Sequence, residues 1–187
     1  MHNTVEEYIK GADAHVLHPD IHPKYIPIFD EFRDHPNGDR GVEKKLSLDA
    51  DWDPAGGIVA KLASVVAVLD AYRFTRAHAD DEGVLHIGEW KSGKPKDTHV
   101  EQRKLYAPIG YRWWQADKVI VTTYYLEDTA PPQRVTLASL SGYEKLKGIW
   151  LSRAKEMEGN EMCAPRPGFY CRWCDYARSK GGPCPMS

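Results

Sequence analysis

The sequence predicts an α/β fold: a central mixed β-sheet flanked by helices. Two observations carry this. Segments with apolar residues at helical spacing alternate with short runs rich in β-branched and aromatic residues, and they do so in the order helix, strands, helix, strands, helix. At 187 residues, one domain with a sizeable core is expected.

The elements follow in chain order. A first helix is predicted over 4–17, where Val5, Tyr8, Ile9, Ala12 and Val16 recur near one side, until His18-Pro19 and His22-Pro23 interrupt it. A second is predicted over 24–32, with Tyr25, Ile28, Phe29 and Phe32 together, and Asn37-Gly38 marks a turn. Residues 42–48 alternate and read as an edge or half-exposed strand, in which Glu43 is expected to make a surface pair with Lys45; 49–57 is a polar loop. A buried strand at about 64–74, a turn at Asp80-Asp81-Glu82-Gly83 and a strand at 84–91 come next. A helix opens near 97 with Asp97 or Thr98 as its N-cap, and Pro108 and Gly110 are expected to kink or end it. Strands at 119–126 and 134–137 precede a last helix over 141–158, capped by Ser141 and stopped by Gly159. No repeat or long linker divides the chain, so 1–187 is expected to form a single domain, with 160–187 an irregular tail held by something other than a core.

Composition narrows the function classes. Hydrophobic residues at 42% and charged residues at 28% suit a soluble globular protein. No apolar run approaches the ~20 residues that span a bilayer, and the first residues lack the basic and apolar parts of a signal peptide. The expectation is a cytoplasmic protein with no membrane partner. A net charge of −2 excludes a global basic footprint for nucleic acid but leaves room for local patches.

Two short strands concentrate the chemistry. Val65 to Leu69 is apolar and leads into Asp70, a carboxylate that is costly to bury without a cation; a structural salt bridge to Arg73 or Arg76 is the plainer alternative. In Glu89-Trp90-Lys91 the outer two residues share one face of a strand and Trp90 takes the other. If these strands are neighbours, two carboxylates and an ammonium converge, which is what a hard divalent cation and an activated water require. The Trp90 carbonyl would add an oxygen. Gln102 and Tyr106 lie one helical turn apart on one face. Arg103, Lys104 and Arg112 are candidate phosphate contacts, and Trp113-Trp114 either stack bases or pack.

The cysteines form a second constellation. Cys163, Cys171, Cys174 and Cys184 all follow Met162, and Cys171-Arg172-Trp173-Cys174 is a C-x-x-C. That clustering points to metal ligation rather than a disulfide framework. Four thiolates suit either zinc or an iron–sulfur cluster, and a saturated site of this kind is structural.

Asp70, then Glu89-x-Lys91, then Gln102-x-x-x-Tyr106 resembles the PD-(D/E)XK nuclease superfamily, and most of all its RecB-like branch, which includes CRISPR-adaptation nucleases and phage exonucleases. The resemblance implies a restriction-endonuclease-like core whose second and third strands carry the site. It implies a Mg²⁺- or Mn²⁺-dependent DNA nuclease, an exonuclease acting in recombination or DNA processing in a bacterial or phage-infected cell. Its metal ligands would be Asp70, Glu89, the Trp90 carbonyl and His15 from the early helix. Lys91 would assist the attacking water, Gln102 would border the site, and Tyr106, Arg103 and Lys104 would bind substrate. A [4Fe–4S] cluster on the four cysteines would pin the tail, with Zn²⁺ the alternative, although the family pattern places one cysteine near the N-terminus and this chain has none there. Two other readings stand beside this one: a catalytically silent nucleic-acid-binding module, and a nuclease subunit that needs a helicase or recombination partner. Polarity, strand preference, DNA against RNA and oligomeric state do not follow from these residues.

Overall fold

Residues 1–34, 39–55, 65–76, 78, 81–159 and 180 are described by a computed structural model. The chain divides into two compact units, Met1–Trp150 and Leu151–Ser187, where one domain with a tail from 160 is expected from sequence. The division falls inside the last helix. The turn predicted at Asn37-Gly38, Asp80 of the next predicted turn, Gly56 and Gly57 of the 49–57 loop, and Cys163, Cys171, Cys174 and Cys184 lie outside the described residues.

The first unit holds helices α1 (His2–Ile9) and α2 (Ile26–Arg33), strands β1 (Asp39–Leu48), β2 (Val65–Thr75) and β3 (Val84–Lys91), helix α3 (Asp97–Trp114), strands β4 (Lys118–Tyr125) and β5 (Gln133–Leu137), and the start of α4 (Leu140–Glu158). The sheet order is β1-β2-β3-β4-β5. Neighbours are antiparallel except β3 and β4, which run parallel because α3 carries the chain back between them. This is the mixed sheet flanked by helices that the sequence predicts. None of the described helices is long and apolar enough to cross a membrane.

Element ends differ from expectation where local chemistry intervenes. The first helix stops at Ile9, with Gly11 at φ +116°, and residues 14–16 form only a 3₁₀ turn. A 3₁₀ turn at Pro23–Tyr25 leads into α2, whose early Pro27 suits a helix start. Lys96, not Asp97 or Thr98, occupies the N-cap of α3, and its N–H donates to Nδ1 of His99 at 3.4 Å. The same helix runs through Pro108 and Gly110 to Trp114. Burial explains why: Ala107, Pro108, Ile109 and Gly110 are packed beneath the sheet, and a Cβ on Gly110 would come within 2.6 Å of the Leu85 side chain. The glycine lets the helix approach the sheet, and that packing offsets the hydrogen bond the proline cannot make. Ser139 rather than Ser141 caps α4, accepting from the Gly142 N–H at 3.1 Å. Gly159 follows the helix as expected, its N–H donating to the Lys155 carbonyl at 2.9 Å.

The sheet's two faces have separate tasks. On one, Val5, Tyr8 and Ile9 of α1 and Phe29 and Phe32 of α2 form a core with Ala71 of β2 and Trp90 of β3. Trp90 is 2% exposed, with Phe29, Phe32 and Tyr124 around it at ring-centroid distances of 5.1, 5.6 and 5.1 Å. Gly88 makes room for it: a Cβ there would sit 2.8 Å from Trp90 and 2.9 Å from Phe32. Fixing Trp90 on this face sends its neighbours Glu89 and Lys91 to the other, toward α3.

Candidate metal centre

The site forms where β2 and β3 separate. Their ladder runs from Thr75–Val84 to Ala71–Gly88 and ends there. Two residues further, the Trp90 backbone is beyond the β2–β3 ladder and turns to side chains. Its N–H donates to Oδ2 of Asp70 at 2.7 Å, and its carbonyl meets Nε2 of His2 at 3.2 Å. Nε2 of His2 also lies 2.9 Å from Oδ2 of Asp70. The predicted gathering of Asp70, Glu89 and Lys91 is therefore what the structure shows. Asp70 is not held by Arg73 or Arg76, which pair with Glu31 and Asp117.

Glu89 is the most enclosed member, 2% exposed. Lys91 Nζ donates to its Oε1 at 2.5 Å, and Nε2 of Gln102 donates to the same atom at 2.6 Å. Oε2 is buried and has no hydrogen-bond partner among the described residues. Burial, joined by the charge on Asp70, pushes the Glu89 carboxyl up to about 7, against the opposing pull of Lys91 and His2. The hydrogen bond to Asp70 raises His2 above the usual imidazole value although burial acts the other way. A buried carboxylate with one oxygen doubly held and the other orphaned lacks a cation's worth of compensation.

Gln102 thus reaches Glu89. Its amide also donates to the Tyr106 hydroxyl at 2.8 Å, which in turn donates to the Val68 carbonyl at 2.8 Å. Tyr106 is 7% exposed, and burial raises its hydroxyl's pKa. It ties α3 to β2 and holds Gln102 in place.

Two expected site residues, His15 and Arg103, are placed elsewhere. His15 sits on the short 3₁₀ turn with its side chain 79% exposed, 3.9 Å from Asp13. The imidazole in the cluster belongs to His2, because α1 starts at residue 2 and ends before His15. Arg103 is 4% exposed and turned to the β4–β5 side, donating to Oγ1 of Thr123 and Oε1 of Gln133, each at 2.8 Å. One residue of helix is about 100° of rotation, which carries it from the Gln102 face into the core. Lys104 pairs with Glu101 at 3.1 Å. Among the other basic and aromatic candidates, Arg112 pairs with Asp53, and Trp114 packs on Tyr72 at 4.9 Å while donating to Asp39.

The burial of Arg103 gives a first test. Arg103→Leu leaves the Thr123 and Gln133 oxygens without their donor and destabilises the protein by about 2–3 kcal/mol in chemical denaturation.

Two residues at the centre were not expected there. Glu43 lies on β1 between the pairs Val42–Ala71 and Lys44–Leu69, opposite Asp70, and takes φ +51°. His2 Nδ1 is 3.9 Å from its Oε1, and His2, Glu43 and Asp70 each offer a ligand atom within 4.8 Å of the others. His2 has no sequence signal, being a lone histidine at position 2, and Glu43 is a glutamate in an alternating polar strand.

No family model matches the chain, and no curated protein matches it. Among solved structures, one described as "Crystal structure of SSO0001" is similar over 99% of this chain and 81% of that chain, at 16% identity and a TM-score of 0.39.

Proposed function

We propose that the chain is a metal-dependent DNA nuclease with a restriction-endonuclease-like core, hydrolysing phosphodiester bonds, with exonuclease action on DNA ends the form implied by its residue pattern. The observation that carries this is the orphaned Oε2 of Glu89, buried beside Asp70 and without a hydrogen-bond partner among the described residues. The donor set suits Mg²⁺ or Mn²⁺: Asp70, Glu89 and the Trp90 carbonyl are hard oxygens, and the charge is short of cations. A divalent ion held there would supply Lewis-acid stabilisation of the phosphate and a more acidic water.

The chain's own residues divide the remaining work. Trp90, locked in the core, fixes the backbone so that Glu89 and Lys91 share a face. The Trp90 N–H orients the Asp70 carboxylate. Gln102 and Lys91 fix Glu89 through Oε1 and leave Oε2 for the ion. Lys91 is the cation beside the carboxylates that can orient an attacking water and offset charge as it develops on the phosphorane-like transition state. The cysteine tail is proposed as a separate structural site for an iron–sulfur cluster or zinc, on the clustering of its four thiols in the sequence.

The test is incubation of the full chain with end-labelled DNA in Mn²⁺, in Mg²⁺ and in chelator. Cleavage with either ion and none with chelator is expected. No cleavage with any divalent ion favours the silent nucleic-acid-binding module. A net charge of −2 and the burial of Arg103 favour a second reading, in which DNA grip comes from a helicase or recombination partner. Weak cleavage by the isolated chain that rises with DNA concentration, without saturation, supports it.

A further inference from the structure

β1 is an edge strand, and its outer edge is guarded over only part of its length. At its end the chain folds back: Leu48 bridges Pro54, and the Ala55 N–H donates to the Ser47 carbonyl at 2.8 Å. In its middle, Glu43 takes φ +51° and Lys44 and Lys45 follow, an irregular backbone and two lysines that discourage pairing. Over 39–42, β2 is the one pairing partner among the described residues, and it occupies the inner edge.

The sheet face beside this stretch is cationic. Val42 packs against the α1–α2 core, so Arg40, two residues back, shares that face. Arg40 stands directly opposite Arg73 of β2. Like charges so placed destabilise a sheet, and only Arg73 is answered, by Glu31 of α2 at 2.6 Å. Arg40 is exposed and has no ion pair among the described residues. Beside it, Ile9, Phe32 and Val42 give an apolar lining to a cleft of about 200 Å³, bordered also by Lys10, which Glu6 already pairs. That volume is below the ~300 Å³ at which small-molecule sites begin and suits a single apolar side chain.

We propose that the 39–42 edge of β1 takes up an extended, acidic segment of a partner protein as an added strand. Backbone hydrogen bonds along the open edge supply affinity, and alternate side chains supply specificity. On the side turned to α1 and α2, an apolar side chain fills the cleft and a carboxylate two residues along pairs with Arg40. Charge disfavours two nearer occupants. Residues 160–187 carry Arg166, Arg172, Arg178 and Lys180 against Glu161 and Asp175, so this chain's own tail has the wrong sign. A second copy would set Arg40, Lys44 and Lys45 against the same cations. The cleft is on the sheet face opposite Glu89 and Lys91, so docking here is independent of cleavage.

The experiment is fluorescence anisotropy of the full chain with a fluorescein-labelled peptide that repeats leucine, threonine, glutamate, threonine. Saturable binding is expected, with amide hydrogen exchange slowed at 39–42. Arg40→Glu lowers the affinity about tenfold, and a peptide with lysine in place of glutamate restores binding to that variant. The substitution sets opposite charges across the Arg40–Arg73 pair, so the variant stays folded, which its melting temperature checks. Absence of binding, binding that Arg40→Glu leaves unchanged, or unaltered exchange at 39–42 overturns the inference. An oligothymidylate strand that displaces the peptide from the wild-type chain assigns Arg40 to nucleic-acid phosphate and overturns it as well.

Discussion

On the proposed nuclease reading, Lys91→Ala lowers Mn²⁺-dependent DNA cleavage by about 10³-fold. The side chain is the ammonium on the face of the sheet where Asp70 and Glu89 gather, and it touches Glu89 Oε1 at 2.5 Å. On that reading its loss removes the group that would orient water and offset transition-state charge, roles worth about 10²–10⁴-fold and about 10²–10³-fold respectively. The substitution leaves Gln102 on Glu89 and leaves Asp70 with its Trp90 and His2 contacts. Mn²⁺ still raises the melting temperature of the variant, which separates a catalytic loss from a folding one. Lys91→Arg does not restore the rate, because a planar, longer fork cannot place its charge where a compact ammonium sits. Single-turnover cleavage with enzyme in excess measures this. An alanine variant retaining a tenth of wild-type cleavage sinks the assigned role.

The metal-free protein loses stability as pH rises from 5 to 8, and Mn²⁺ reverses that loss most at the upper end. The Glu89 carboxyl titrates near 7 in the fold against about 4.5 outside it. The folded state therefore binds this proton more tightly, and stability falls across the window between those values. His2 acts in the same direction. Its imidazolium is stabilised in the fold by Asp70, a contribution present below the ordinary imidazole value and lost as pH climbs through the raised one. The Glu89 shift corresponds to a loss on the order of 3 kcal/mol, or roughly 6–12 °C in melting temperature for a chain of this size. At the proposed cation site a divalent ion would replace the proton as the compensating charge. Its stabilisation is consequently larger at pH 8, where the carboxylate is ionised, than at pH 5. Glu89→Gln flattens much of the metal-free slope. Thermal melts at pH 5, 6, 7 and 8, with chelator and with Mn²⁺, measure it; a metal-free melting temperature that is constant or rising across the series contradicts the account.

The parts of this site legible in the sequence are those fixed by strand periodicity. Asp70 after five apolar residues, and Glu89 and Lys91 two apart around a tryptophan, follow from the two-residue repeat of a strand and the need to bury Trp90. Gln102 and Tyr106 follow from the helical turn. Residues whose role depends on where a helix begins, or on which way it rolls, were not legible. Arg103 differs from Gln102 by a single step, and only the presence of Thr123 and Gln133 across the α3–β4–β5 contact decides that it turns inward. His15 is the histidine that the motif suggests, but Gly11 ends the helix before it, and His2 at the other end takes its place beside Asp70. Glu43 reaches the centre through a left-handed backbone conformation that few non-glycine residues adopt, and no residue pattern announces it. Helix ends moved for similar reasons: Pro108 reads as a breaker in sequence, yet the packing of Gly110 against Leu85 carries α3 past it.

The most direct measurement is anomalous diffraction from crystals of the full chain grown or soaked in Mn²⁺. A manganese peak within bonding distance of Asp70 and Oε2 of Glu89, with Lys91 beside it, is the predicted result. A metal-loaded crystal with no manganese at these carboxylates, or with Glu89 Oε2 turned to a protein donor instead, contradicts the claim that this cleft is a cation centre.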